Sequence, residues 1–232
     1  MKKETDINKV KEQSKLLLYA VSIEPAYYGI VRHPYIQSTH TYIKEKGFVD
    51  ITIEENYNLW IKSVEKAIDT HSIQQIFDCL ITTPWKLTWL KFAKPYLSKK
   101  DFAQLLANAW VEEENPNDDK NVSIATAIKW FKEADKKALM DDEEYAYWEA
   151  LPDEVVLYRG VSKGRKKYGL SWTDNKDTAI WFKNRFLTGE EKGCLLKVVA
   201  PKEHCLCYLN GRSENEIVLN VKAVKNKIEE IE

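Results

Sequence analysis

Residues 154–173, EVVLYRGVSKGRKKYGLSWT, mark the point at which the chain changes from helical to β texture. From Glu154 onward the β-favouring runs are Val155 to Tyr158, Leu170 to Thr173, Leu195 to Ala200, Cys205 to Leu209 and Ile217 to Val224. One helix interrupts them, over Asn175 to Phe186, with Ala179, Trp181, Phe182 and Phe186 as its apolar positions and Thr173 as a candidate cap.

Upstream, apolar residues recur at helical spacing. Ile7 to Ser22 forms a first amphipathic segment that ends as Pro25 arrives. Tyr27 to Gly47, rich in aromatics and His, has no assignable period, and a short β-like run follows at Phe48 to Ile53. Helices are expected over Glu54 to Thr70, with Leu59, Val64 and Ile68 inward, over Ser72 to Ile81, after Pro84, and after Ser98. Trp60, Trp85, Trp89 and Trp110 fall inside these patterns and are expected in the core. Glu112 to Asn121, which contains Asn-Pro-Asn-Asp-Asp, is the clearest loop signal. It lacks the ligand spacing and central Gly of an EF-hand, so it is expected to face solvent. Helix returns at Ser123 and runs through Ala127, Trp130, Phe131, Ala134 and Leu139 to a helix or turn that Pro152 stops.

The 232 residues, 44% of them hydrophobic and including 8 Trp, suffice for one large or two small packed domains. A formal charge of −1 gives no overall attraction to nucleic acid or acidic membrane, so such a partner would need a local patch. Cys79, Cys194, Cys205 and Cys207 are too few and too unevenly spaced for a disulfide scaffold and form no paired CxxC knuckle. His204 beside Cys205 and Cys207 suggests a metal less well than it suggests core packing on a strand, so no metal is expected. Met1 to Lys15 is polar, and no apolar run reaches the ~20 residues of a membrane span. A cytoplasmic protein is the expectation.

Three features of the β-rich part carry chemistry in combination: Leu157-Tyr158-Arg159-Gly160-Val161, Gly169-Leu170-Ser171-Trp172-Thr173 and Glu214-Asn215-Glu216-Ile217-Val218-Leu219. Arg159 could clamp a pyrophosphate, with Gly160 allowing close approach of a flat ring; a surface salt bridge is the bland alternative. A hydroxyl at Ser171 can orient a carboxylate or a ribose. Thr173 supports the strand end, and Trp172 suits packing beneath the site. Cleaving a glycosidic bond creates an oxocarbenium-like charge that needs a carboxylate, for which Glu216 is the candidate. On an extended backbone Glu214 would share its face. The bland alternative is a solvated acidic edge before an apolar strand. Lys163, Arg165, Lys166 and Lys167 form a basic run that reads as a solvated loop, as help for a diphosphate, or as a patch for nucleic acid.

Taken together, these motifs resemble the Arg, Ser-x-Ser/Thr, Glu-x-Glu series of the mono-ADP-ribosyltransferases, in the branch that includes the clostridial binary toxins and phage-encoded transferases. The match covers about Val155 to Val221, and Ser171-Trp172-Thr173 departs from the Ser-Thr-Ser usual in the toxins. The resemblance implies an α+β fold: a helical N-terminal region, 1–120, for target recognition, followed by a catalytic region, 121–232, built as a small sandwich of two mainly antiparallel sheets with an NAD cleft. It implies NAD as substrate and no metal. Arg159, Gly160, Ser171 and Thr173 would bind NAD, Glu216 would stabilise the cation, and Glu214 would activate the acceptor. Glu-x-Glu looks like the version that acts on arginine, so a protein target is favoured over nucleic acid, and Tyr208 to Ser213 corresponds in position to the acceptor-recognition turn, although a turn with Asn-Gly is equally what any strand connection shows. Lys-rich and nearly without Arg outside the motifs, the chain looks like a phage or mobile-element product acting inside a bacterium, on a defence or transcription protein or as a toxin–antitoxin effector. Two other classes stay open: an NAD glycohydrolase, and a non-catalytic binding or inhibitor protein that keeps the fold.

Overall fold

The computed structural model describes residues 3–23 and 30–232. Pro25 and Tyr27, named above, lie outside them. The chain divides into two compact units, Met1–Leu105 and Leu106–Glu232, with the division inside helix Lys99–Glu112. It is an α+β protein. Among the described residues no helix is long and apolar enough to cross a membrane.

In the first unit, helix Ile7–Ala20 starts where the Asp6 carboxylate accepts the Lys9 amide, and it buries Val10, Leu17 and Leu18. The stretch without a legible period holds strands β1 (Ile30–His33), β2 (Ile36–Ser38) and β3 (His40–Ile43), and β4 (Gly47–Asp50) covers the start of the expected β-like run Phe48 to Ile53; the four pair as two antiparallel hairpins. Strands this short give little period to read: β1 alternates over only four residues, β2 buries Ile36 alone, and Tyr42 and Phe48 stand exposed opposite each other. This unit is therefore less purely helical than expected. Helix Glu54–Thr70 has the expected bounds but turns Trp60, Ile61, Val64 and Ile68 inward, with Leu59 only partly covered. The expected helix from Ser72 is a capped turn, Ile73–Gln75, that continues as a π-turn over Ile76–Leu80. Trp60 and Trp89 are in the core, and the Trp89 indole donates to Ser14 Oγ at 2.8 Å. Trp85 is only partly buried.

In the second unit, Ser123 caps helix Ile124–Glu133, and a capping box of Asp141 and Glu144 opens helix Asp142–Ala150, which ends ahead of Pro152. Strands β5 (Glu154–Val161), β6 (Ser171–Thr173), β7 (Cys194–Pro201), β8 (Cys205–Leu209), β9 (Glu216–Leu219) and β10 (Glu229–Glu230) form one sheet in the order β10-β7-β5-β6-β9-β8, all neighbours antiparallel. Where two sheets are expected, hydrogen bonding makes one. Its two three-stranded halves are joined through a single pair, Tyr158 with Thr173. The last expected β-run also breaks: β9 stops at Leu219 and Val221–Val224 is a helical turn.

Candidate active site

Register places the site. Ser171 lies opposite Val218, and Thr173 opposite both Tyr158 and Glu216, so Ser171, Thr173 and Glu216 project from one face of the sheet. Helix Lys176–Asn184 lies against β5 closely enough that a Cβ on Gly160 would come within 1.8 Å of the Ala179 carbonyl oxygen and 2.4 Å of the Lys183 nitrogen. The close approach at Gly160 is thus between strand and helix. Thr173 does not cap that helix. Its Oγ1 accepts the Asn175 amide, and the Asn175 side chain caps by accepting from Asp177 and Thr178.

An open cleft, about 820 Å³ with its mouth included, lies in this unit, and Arg159, Gly160, Ser171, Thr173, Glu214 and Glu216 all line it.

Glu216 is the best-held carboxylate. Its Oε1 accepts the Trp110 indole N–H at 2.7 Å, and Ser171 projects beside it from the same face of the neighbouring strand. Burial raises its pKa above the usual carboxylate value, opposed by the Ser171 hydroxyl, the Trp110 indole N–H and the positive charge of Arg159. Glu214 is partly buried and is likewise raised by burial, against Arg212 and Arg185. The two glutamates share the cleft, but not by strand alternation: Asn215 between them has φ +49°, and β9 begins only at Glu216. The turn before them is held by Asn210 Oδ1 accepting the Asn215 amide at 3.1 Å and by Tyr208 Oη donating to Asn215 Oδ1 at 2.8 Å.

Arg159 is 8% exposed and donates to three backbone carbonyls: Ser171 at 2.6 Å, Lys166 at 2.9 Å and Lys167 at 3.3 Å. It fixes the segment leading into β6, and Gly169 makes room for it, since a Cβ there would lie 2.5 Å from Arg159 Nη2. Burial lowers its pKa to about 10, which leaves it charged at neutral pH. Of the five N–H donors of a guanidinium, three are engaged in these bonds. Trp172 packs beneath, 2% exposed, with its indole on the Gly169 carbonyl.

The loop expected to face solvent is part of the site. Asn117, 6% exposed, donates from Nδ2 to Ser171 Oγ at 2.9 Å and accepts the Leu170 amide at Oδ1. Glu114 bridges Arg165 at 2.9 Å and Arg185 at 3.3 Å, and all three line the cleft together with Phe182 and Phe186. Arg185 stacks over the Phe186 ring at 4.5 Å and the Trp181 ring at 4.9 Å. The basic run is correspondingly paired: Lys163 with Glu191, Lys166 with Asp118 and Lys167 with Glu230. Asn117 and Glu114 sit in a stretch whose composition signals only a turn, and their partners are distant in sequence. Trp110 is legible as core and Arg165 as charged, but neither pattern discloses what its polar atoms meet.

Cys205 and Cys207 are buried strand residues whose thiol pKa values are pushed up by burial, the first to about 12. Among the described residues no group of three or more His, Cys, Asp and Glu is gathered to hold a metal ion. Compared with known proteins, the chain matches no family model, no curated protein and no solved structure.

Proposed function

We propose that the chain is a mono-ADP-ribosyltransferase that uses NAD as a substrate and modifies a macromolecule, with protein arginine favoured as acceptor. The observation that carries this reading is the cleft in which Glu216, held by Trp110 and beside Ser171, shares space with Glu214 and with the Arg159-anchored β6 segment. On this reading the sheet, pinned at Tyr158 and Thr173, is the folded form of the two-sheet transferase sandwich, and NAD occupies the cleft.

The chemistry follows from the residues. The C1′–nitrogen bond of NAD breaks, its electron pair leaves with nicotinamide, and the Glu216 carboxylate stabilises the positive ribose. An acceptor nitrogen then bonds to C1′ and gives up its proton, for which Glu214, with its raised pKa, is the base. Arg159 shapes the site by holding residues 166–171, with two N–H groups beyond its three carbonyl bonds for the ligand. Arg165 and Arg185 already bind one carboxylate between them, which makes them a seat for the diphosphate. The cellular setting proposed is the bacterial cytoplasm, with a phage or mobile-element origin and a host protein as target.

The test is transfer of label from adenine-labelled NAD to bacterial lysate protein. Label on protein with wild type and none with Glu216→Gln is expected. NAD cleavage with no labelled macromolecule would make the protein a glycohydrolase instead.

A further inference from the structure

One segment, outside the three motifs, reaches both side chains on which the proposed chemistry depends. Trp110, 1% exposed, packs edge-on to Phe131 with centroids 5.1 Å apart, so its indole cannot turn without repacking the core. Its Nε1–H donates to Glu216 Oε1 at 2.7 Å. Further along the same segment Asn117 donates to Ser171 Oγ at 2.9 Å while its Oδ1 accepts the Leu170 amide. A serine hydroxyl has one proton. With its oxygen accepting from Asn117, Ser171 keeps that proton for the Glu216 carboxylate, which projects from the same face of the adjoining strand and whose charged form the hydroxyl favours.

We propose that Trp110 and Asn117 are positioning residues of this site: Trp110 fixes the Glu216 carboxylate directly, and Asn117 fixes it through the direction of the Ser171 hydroxyl. An indole N–H only donates, so Trp110 favours the ionised form of Glu216. An asparagine at 117 supplies a donor and an acceptor at once, whereas an ionised aspartate supplies acceptors alone and would draw the Ser171 proton away from Glu216. Both residues thereby keep Glu216 charged and aimed before any ligand binds. The proposal rests on the transferase reading only where activity is the readout.

Two variants test it, Trp110→Phe, which keeps an aromatic ring without the donor, and Asn117→Asp. The first measurement is the pH dependence of nicotinamide release. In both variants the acid limb of the kcat profile moves to higher pH, and kcat near neutrality falls by about ten- to a hundredfold, the size of one hydrogen bond to a charged group, with KM for NAD little changed. The second measurement needs no turnover: carbon-13 titration of the Glu216 carboxyl, assigned through Glu216→Gln, moves to higher pH in both variants. A Glu216 titration that is unchanged in folded Asn117→Asp and Trp110→Phe protein overturns the proposal. Wild-type protein that releases no nicotinamide would instead remove the transferase reading, and the carboxyl titration would still decide the roles of Trp110 and Asn117.

Discussion

Arg159 and Gly169 occupy adjoining space so tightly that one methyl group would not fit between them: a Cβ on Gly169 would stand 2.5 Å from Arg159 Nη2 and 2.8 Å from Asn117 Cγ. The guanidinium and the amide that organise Ser171 therefore both depend on a residue without a side chain. Gly169→Ala should displace one of them and destabilise the protein by about 1–3 kcal/mol, as overpacking does. Thermal unfolding measures the loss. An unchanged midpoint would mean that the segment relaxes freely and that Arg159 does not fix it.

Gly160 faces backbone rather than a side-chain end. The Ala179 carbonyl oxygen, 1.8 Å from where a methyl on Gly160 would stand, cannot swing aside as a guanidinium can, so Gly160→Ala should cost more than Gly169→Ala and displace helix Lys176–Asn184 from β5. Hydrogen exchange of the helix amides in both variants gives the comparison. Equal protection in the two would contradict it.

The glutamates in the cleft set a pH dependence with a defined sign. Burial raises the pKa of Glu216 and of Glu214, so the folded state binds protons that the unfolded state has already released. Stability is therefore lost as pH rises from the unfolded carboxylate value, 4.5, through the raised folded values. Glu216→Gln keeps an acceptor for Trp110 and removes the charge. It should unfold at a higher temperature than wild type at pH 7, with the difference vanishing below pH ~4. A variant less stable than wild type at pH 7 would show that the ionised carboxylate is a net stabiliser.

His33 gives the first unit its own signature. It is fully buried, its Nε2 lies 3.2 Å from the Leu18 carbonyl, and its Nδ1 accepts the Tyr35 amide, an arrangement for a neutral ring. Burial lowers its pKa below 6.5, so stability is present above that pH and falls as pH drops below it, where the unfolded chain takes up a proton that the folded ring refuses. The slope of stability against pH between about 6.5 and 5 should flatten in His33→Gln. Parallel slopes would assign the acid sensitivity elsewhere.

What the sequence makes legible follows from the kind of signal involved. Helix Glu54–Thr70 is readable to the residue because its apolar period runs uninterrupted, and Cys205–Leu209 because a fully buried strand is a continuous apolar run. Strands β1 to β3 of the first unit are not, since three or four residues leave no period to read, whereas β4 falls at the start of the β-like run Phe48 to Ile53. At the site, Arg159, Ser171 and Glu216 can be picked out because their order along the chain resembles a known series, and they line one cleft. Asn117 cannot, because an Asn within Asn-Pro-Asn-Asp-Asp reads as a solvated turn until its partner 54 positions away is known. Nor does the spacing of Glu214 and Glu216 reveal the left-handed residue between them, which replaces the extended backbone their alternation suggests.

Nicotinamide release from NAD by wild-type protein and by Glu216→Gln, with host lysate added and withheld, puts the transferase reading to its most direct trial. A transferase releases nicotinamide in step with labelling of a lysate component, and Glu216→Gln loses release by at least about a hundredfold, the cost of removing one charge-stabilising group. No release by wild type under any of these conditions, or equal release by Glu216→Gln, would contradict that reading and leave the cleft as a binding site without this chemistry.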